Sequence, residues 1–316
     1  MTLAPPTPVD LGLDPAPRDV RAEDSPAWHV RARLDAQVRE LLAHEDGARD
    51  GQDPEHVHQM RVAVRRMRAA LKAEGSTVPD ADELRAELKW LGGALGEVRD
   101  FDVLLGRLRE ETADFGPDEQ HAADRLFAGL VTDRRRARRK MLGVLRGSRY
   151  RALLHDLAEA ARSDVPVVEP ESGKSGKPAK KTALVDVVRK PHRKLVKAAA
   201  ALPDDPPDDD LHALRIKGKR VRYAAELAAD SGGKKVKKLI AATKKFQDLL
   251  GDHQDAVVGE QEVRRMLSEQ GGEIDADVVF VAGRLVERER ARRTECRRRW
   301  RMAVAKVDDR ATALLS

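Results

Sequence analysis

Eleven residues beginning at His58 recur 154 positions later, and this recurrence limits the chain to architectures built from two like halves. His58-Gln-Met-Arg61-Val-Ala-Val-Arg65-Arg66-Met-Arg68 returns as His212-Ala-Leu-Arg215-Ile-Lys-Gly-Lys219-Arg220-Val-Arg222. Downstream, Leu95-Gly96-Glu-Val-Arg99-Asp100 returns as Leu250-Gly251-Asp-His-Gln254-Asp255 at an offset of 155. Two motifs in the same order and nearly the same register indicate an internal duplication.

The halves read as helical. Charged residues make up 36% of the 316 and aromatics 3%. That much charge needs a large solvated surface, which helices with one buried stripe provide. Alternating β-branched runs and hairpin turns are scarce. Apolar residues at three- and four-residue spacing begin near Pro26, and Gly47 and Gly51 end that segment. Asp53-Pro54-Glu55 opens a second helix, with an N-cap, a proline at N1 and an acid in the first turn. It is expected to run to about Glu74. Further helices are expected from Asp80 to Leu95, from near Arg99 to a break at Gly116-Pro117, on to Arg146, and from Ser148 to Arg162. Residues 163–182 carry Pro, Gly, Ser and Lys without apolar periodicity and read as a flexible linker. Helical pattern resumes at Ala183. Helices are then expected over about 208–230, 234–250, 253–269 and 273–307. The domain reading is a disordered proline-rich leader (1–25), an N-terminal helical half (26–162), the linker (163–182) and a C-terminal helical half (183–316).

On a helical wheel of about 100° per residue, His58, Arg61, Arg65, Arg68 and Lys72 form one stripe roughly 80° wide. Met60, Val64, Met67 and Leu71 form a separate apolar face. In the second copy, His212, Arg215, Lys219 and Arg222 share a stripe while Leu214, Val221 and Ala225 face elsewhere. Cations three and four residues apart repel by a few tenths of a kcal/mol per pair, and neither stripe contains an acid. A solvated face, or one paired with acids of a neighbouring helix, would look similar in a single copy. Two equivalent stripes favour an anion that arrives from outside. Guanidinium suits phosphate because it can donate two parallel hydrogen bonds, and a helical ladder of cations suits a linear polyanion. Each histidine could meet a phosphate oxygen or bond within the bundle. In the Leu-Gly-x-x-x-Asp motif, the glycine reads as a helix C-cap or tight turn. Asp100 and Asp255 read as caps of the next helix or as holders of an arginine.

Less specific basic candidates are Arg134 and Arg138 on the long basic helix, Lys190, Arg193 and Lys197 on another, and Lys237 and Lys244 after the second stripe. Lys89 matches Lys244 at the repeat offset. The net charge of +6, from 60 basic and 54 acidic residues, is by itself weak evidence for an anionic partner. No phosphate-binding glycine loop precedes Gly173-Lys174-Ser175, and no His or Cys spacing suits a metal. The stripes offer cations without acids to hold a metal among phosphates, so binding without cutting is expected, with no cofactor and no metal. The single cysteine, Cys296, excludes an internal disulfide framework and points to a reducing cytoplasm. No stretch reaches the roughly 18 apolar residues of a membrane span. Nucleic acid is the alternative partner, because its backbone also takes lysine and arginine contacts without sequence readout. The scarcity of aromatics for base stacking argues against it. Oligomeric state is not legible.

The pattern His-x-x-Arg, then Arg/Lys-Arg-x-Arg, twice, each followed by Leu-Gly-x-x-x-Asp, resembles the CHAD domain (conserved histidine α-helical domain). Arg222-Tyr223 and Asp100-x-Asp102 are also similar to the family pattern, and the resemblance spans about residues 26–308. It implies an all-α fold of two four-helix-bundle halves related by a pseudo-two-fold axis, with a basic groove or pore between them. It implies inorganic polyphosphate as the ligand and association with polyphosphate granules. The ligand-facing positions it carries over are His58, Arg61, Arg65, Arg66 and Arg68, then His212, Arg215, Lys219, Arg220 and Arg222. Lys219 departs by standing where the first copy has Arg65, and Gly218 departs by lying in mid-helix, at a cost of up to about 1 kcal/mol. Family members often accompany a triphosphatase with a Glu-x-Glu-x-Lys strand. No such strand is present here.

Overall fold

The protein is described from a computed structural model over residues 5–17, 26–74, 78–162, 187–271 and 275–316. Every regular element among the described residues is a helix. They are α1 (Pro26–Ala43), α2 (Glu45–Asp50), α3 (Pro54–Glu74), α4 (Ala81–Thr112), α5 (Pro117–Arg146), α6 (Ser148–Ala161), α7 (Arg189–Ala200), α8 (Asp208–Leu227), α9 (Ala229–Ser268) and α10 (Ala276–Leu315). The all-α expectation is met. The expected linker lies outside the described residues.

The chain forms two compact units. The first contains residues 1–110 and 127–174, and the second contains 111–126 and 175–316. In the first unit, α3 lays Met60, Val64, Met67 and Leu71 into a core shared with Leu34, Val38 and Leu41 of α1 and Leu153, Leu154 and Leu157 of α6. The apolar face read from the wheel is therefore the buried one. Asp53 Oδ1 accepts from the Glu55 amide at 2.8 Å, the cap expected at the start of α3. The proline-rich leader is not without structure where it is described. Leu11 and Leu13 seat in the same core, and Arg162 donates to the Leu11 carbonyl at 2.7 Å. Leu11 and Leu13 supply apolar area that the surrounding prolines obscured.

In the second unit, Leu211, Leu214, Val221 and Ala225 of α8 pack with Val236, Leu239 and Phe246 of α9 and Trp300, Val304 and Val307 of α10. Arginines four residues apart on α10 clip the acidic loop before α8. Arg297 holds Asp205 and Asp208, Arg293 holds Asp208, and Arg301 holds Asp204. Farther toward its start, Arg288 takes Asp114 with two hydrogen bonds of 2.9 and 2.7 Å, and Arg284 bonds Glu119. These pairs place residues 111–126 in the second unit.

Several helix boundaries differ from the sequence reading: the first helix stops at Ala43, and a separate α2 runs through Gly47. Helix α4 runs unbroken through Gly96, α9 runs unbroken through Gly251, and α10 continues past residue 307 to Leu315. Glycine lowers helix propensity without ending a helix that packing supports. In α9 the kink instead falls at Gly233, with φ 55° and ψ −142°, a conformation that suits glycine.

Candidate anion-binding site

Helix α3 divides its surface as the wheel requires. His58 and Arg61 are half-buried, while Arg65, Arg66, Arg68 and Lys72 are exposed. Arg61 is committed within the unit. Its Nη1 donates to the Gly96 carbonyl at 3.0 Å and to Asp100 Oδ1 at 2.8 Å. A Cβ at position 96 would stand 2.9 Å from that Nη1, so glycine is what lets the guanidinium lie across α4. The first motif's glycine is thus a docking notch rather than a C-cap or turn, and its aspartate holds an arginine. Arg65, Arg66, Arg68 and Lys72 have no hydrogen-bond or ion-pair partner among the described residues, and neither does His58. From Arg61 to Lys72 the ladder rises about 16 Å.

The second copy repeats the contact in looser form. A Cβ at Gly251 would lie 3.7 Å from Arg215 Nη2, so the guanidinium approaches the same notch. Arg215 Nε is buried with no hydrogen-bond partner. His212 Nδ1 lies 2.9 Å from Gln254 Oε1, which places a proton on Nδ1 and leaves Nε2 available. Gln254 occupies the place of Arg99 in the first copy, and neither residue was singled out as a histidine partner from sequence. Arg220 is exposed with no partner among the described residues, and Lys219 is half-buried. Arg222 bonds Glu226 at 2.6 Å, one turn along α8, and reaches toward Gln247. Gly218, which looked like a weak point, is required by packing: a Cβ there would overlap the Phe246 ring.

The less specific candidates divide sharply. Arg134 pairs with Asp102, whose side chain is 4% exposed, and Arg138 donates to the carbonyls of Arg49 and Asp50 at the end of α2. Both guanidinium groups serve the first unit's own structure. Lys89, Lys190, Lys237 and Lys244 are exposed and have no partner among the described residues. Arg193 and Lys197 border a cavity of about 530 Å³ beside His192, whose Nε2 lies 2.7 Å from Asp308. Among the described residues, no group of three or more His, Cys, Asp or Glu is placed to hold a metal ion, and no helix is long and apolar enough to cross a membrane.

Known proteins resemble this chain in sequence and fold. The chain is 31% identical over 291 residues to an uncharacterized protein of Mycobacterium tuberculosis, matched in two strains. The match covers 90% of this chain and 54% of the relative, so the chain spans about half the length of the curated relatives it matches. The crystal structure of the CHAD domain from the plant Ricinus communis superposes with a TM-score of 0.62 at 26% identity, covering 92% of this chain and 95% of that one. PptA from Streptomyces chartreusis, at 21% identity and a TM-score of 0.58, shares the fold over 88% of this chain and 97% of its own. The CHAD domain family model matches residues 32–264, and with that match the chain belongs to the CHAD domain family.

Proposed function

We propose that this chain binds inorganic polyphosphate through the exposed cations of its two His-x-x-Arg helices and does not hydrolyse it. The family carries an association with polyphosphate. The observation that carries the reading for this chain is the contrast along α3. Arg61 is neutralised by Asp100, while Arg65, Arg66, Arg68 and Lys72 stand exposed with no acid partner among the described residues, in a chain holding 54 acids. A helix that leaves four cations uncompensated carries repulsion that a polyanion relieves. His58, with His212 in the second copy, would add a hydrogen bond at the head of each ladder. Arg220 and the half-buried Arg215 and Lys219 would serve the second face. The carboxylates beside these faces, Asp100 and Glu226, are each taken up by an arginine, so the faces would supply charge complementarity to phosphates rather than a group to place a metal or activate a water among them. Targeting to polyphosphate granules is the cellular role that such binding would serve.

The test is a competition titration with labelled long-chain polyphosphate at about 150 mM salt, where screening trims generic attraction. Tight binding that duplex DNA, single-stranded RNA and tripolyphosphate displace poorly supports the reading. Equal competition by the nucleic acids would make the faces generic polyanion surfaces. Release of phosphate from the bound chain would overturn the non-catalytic part.

A further inference from the structure

The second unit contains another basic feature of different chemistry, on the far side of α9 from the stripe of α8. A cavity of about 500 Å³ lies along the seam between α9 and α10. Ala241, Ala242 and Leu249 of α9 and Met302 and Ala303 of α10 line it, over the buried Phe246 ring. Five cations edge it: Lys238 and Lys245 on one side, and Arg299, Lys306 and Arg310 on the other. No acid lines it. Only Arg299 among the five has an ion-pair partner among the described residues, Glu295 at 3.7 Å.

Three observations separate this groove from the polyanion faces. On α9 its residues lie about 180° around the helix from Gln247, Gly251 and Gln254, the positions that meet Arg222, Arg215 and His212. Its floor is apolar, which a bare phosphate chain has no use for. At the repeat offset of 155, Ala242 and Lys245 correspond to Glu87 and Trp90. In the first unit Arg149 bonds both Glu87 oxygens, at 2.7 and 2.8 Å, and lies 4.2 Å over the Trp90 ring. The corresponding positions there are occupied by the unit's own ion pair and aromatic ring, whereas in the second unit they are small or cationic. Met302, 67% exposed, is a large apolar side chain left at the edge of a cationic rim.

We propose that this groove binds a small single-chain anionic amphiphile, its chain on the alanine and methionine floor and its phosphate, sulfate or carboxylate against the lysine and arginine rim. The volume falls within the range of small-molecule sites, roughly 300–1,000 Å³. From Lys238 to Leu249 the groove extends about 16 Å, which suits an extended chain of about a dozen carbons rather than a compact ring system. Each methylene removed from water adds to affinity, while the rim supplies selection for negative charge.

The test is calorimetric titration with dodecyl phosphate below its micelle-forming concentration, alongside inorganic phosphate, dodecyltrimethylammonium and vesicles of anionic phospholipid. Dodecyl phosphate is expected to bind with a Kd about tenfold or more below that of inorganic phosphate, with little binding of the cationic amphiphile. Ala241→Trp, at an exposed position, fills the floor without changing charge and should weaken dodecyl phosphate binding about tenfold. Lys245→Glu with Lys306→Glu, both exposed, should do the same through the rim. Arg65→Ala with Arg68→Ala should leave this binding unchanged, which separates failure here from failure of the polyphosphate reading. Binding no tighter than that of inorganic phosphate, insensitivity to Ala241→Trp, equal loss in the Arg65/Arg68 variant, or attachment to vesicles without binding of the monomer would each overturn the proposal.

Discussion

Arg61 crosses from α3 to α4 through the notch left by Gly96 and ends 2.8 Å from Asp100. A single contact thereby links the two motifs of the first copy through an arginine, a glycine and an aspartate. The same arginine-over-glycine approach, longer and without the aspartate bond, joins Arg215 to Gly251. Arg61 is thereby tied to α4, while Arg65, Arg66, Arg68 and Lys72 beyond it stand exposed without a partner among the described residues.

Replacing two glycines of α4 with alanine separates this role from helix propensity. Gly106 is exposed, and a Cβ there would meet only open space, so Gly106→Ala should stabilise by about 0.5–1 kcal/mol. Gly96→Ala gains the same propensity but displaces Arg61, and should destabilise by about 1 kcal/mol net once the charged hydrogen bonds are lost. Urea denaturation of both variants measures the contrast. Stabilisation by Gly96→Ala would show that Arg61 contributes nothing there.

Arg134→Ala leaves the nearly buried Asp102 carboxylate without its partner and should cost about 2–3 kcal/mol. Lys89→Ala, at an exposed site with no partner among the described residues, should stay within about 0.5 kcal/mol of the parent. Thermal unfolding distinguishes the two.

Burial holds the His253 imidazole below its ordinary pKa, and nearby Arg297 and Arg293 act in the same sense, while Asp208, 3.1 Å from Nε2, opposes them. The folded state therefore binds the proton less readily than the unfolded chain, whose histidine titrates near 6.5. Stability from this group is fully present above about pH 6.5 and declines as pH falls below it. His253→Gln should flatten stability between about pH 6.5 and 5. An unchanged acid limb in that variant would assign the dependence to other groups.

The division of α3 and α8 into apolar and basic faces was legible because wheel position depends only on spacing, and Met60, Met67, Leu214 and Val221 all lie in the cores. The family was legible from the paired motifs. What spacing could not convey was where long side chains end. Gly96 and Gly251 suggested helix ends because the guanidinium groups that lie over them come from another helix. Gly218 suggested a weak helix because Phe246, which needs the space, lies 28 residues away. Arg134 and Arg138 looked like ligand-facing cations in a basic run. Their partners, the Asp102 carboxylate and the carbonyls of Arg49 and Asp50, come from other elements of the unit.

The most direct test of the central claim is the affinity for long-chain polyphosphate of the parent and of Arg65→Ala with Arg68→Ala, measured across salt concentrations. Both arginines are exposed and lack partners among the described residues, so the fold should survive, as helical circular dichroism would verify. The account predicts about tenfold or greater weakening at 150 mM salt and a shallower salt dependence, by analogy with the loss of phosphate contacts in nucleic-acid complexes. Unchanged affinity and slope in a folded variant would contradict it.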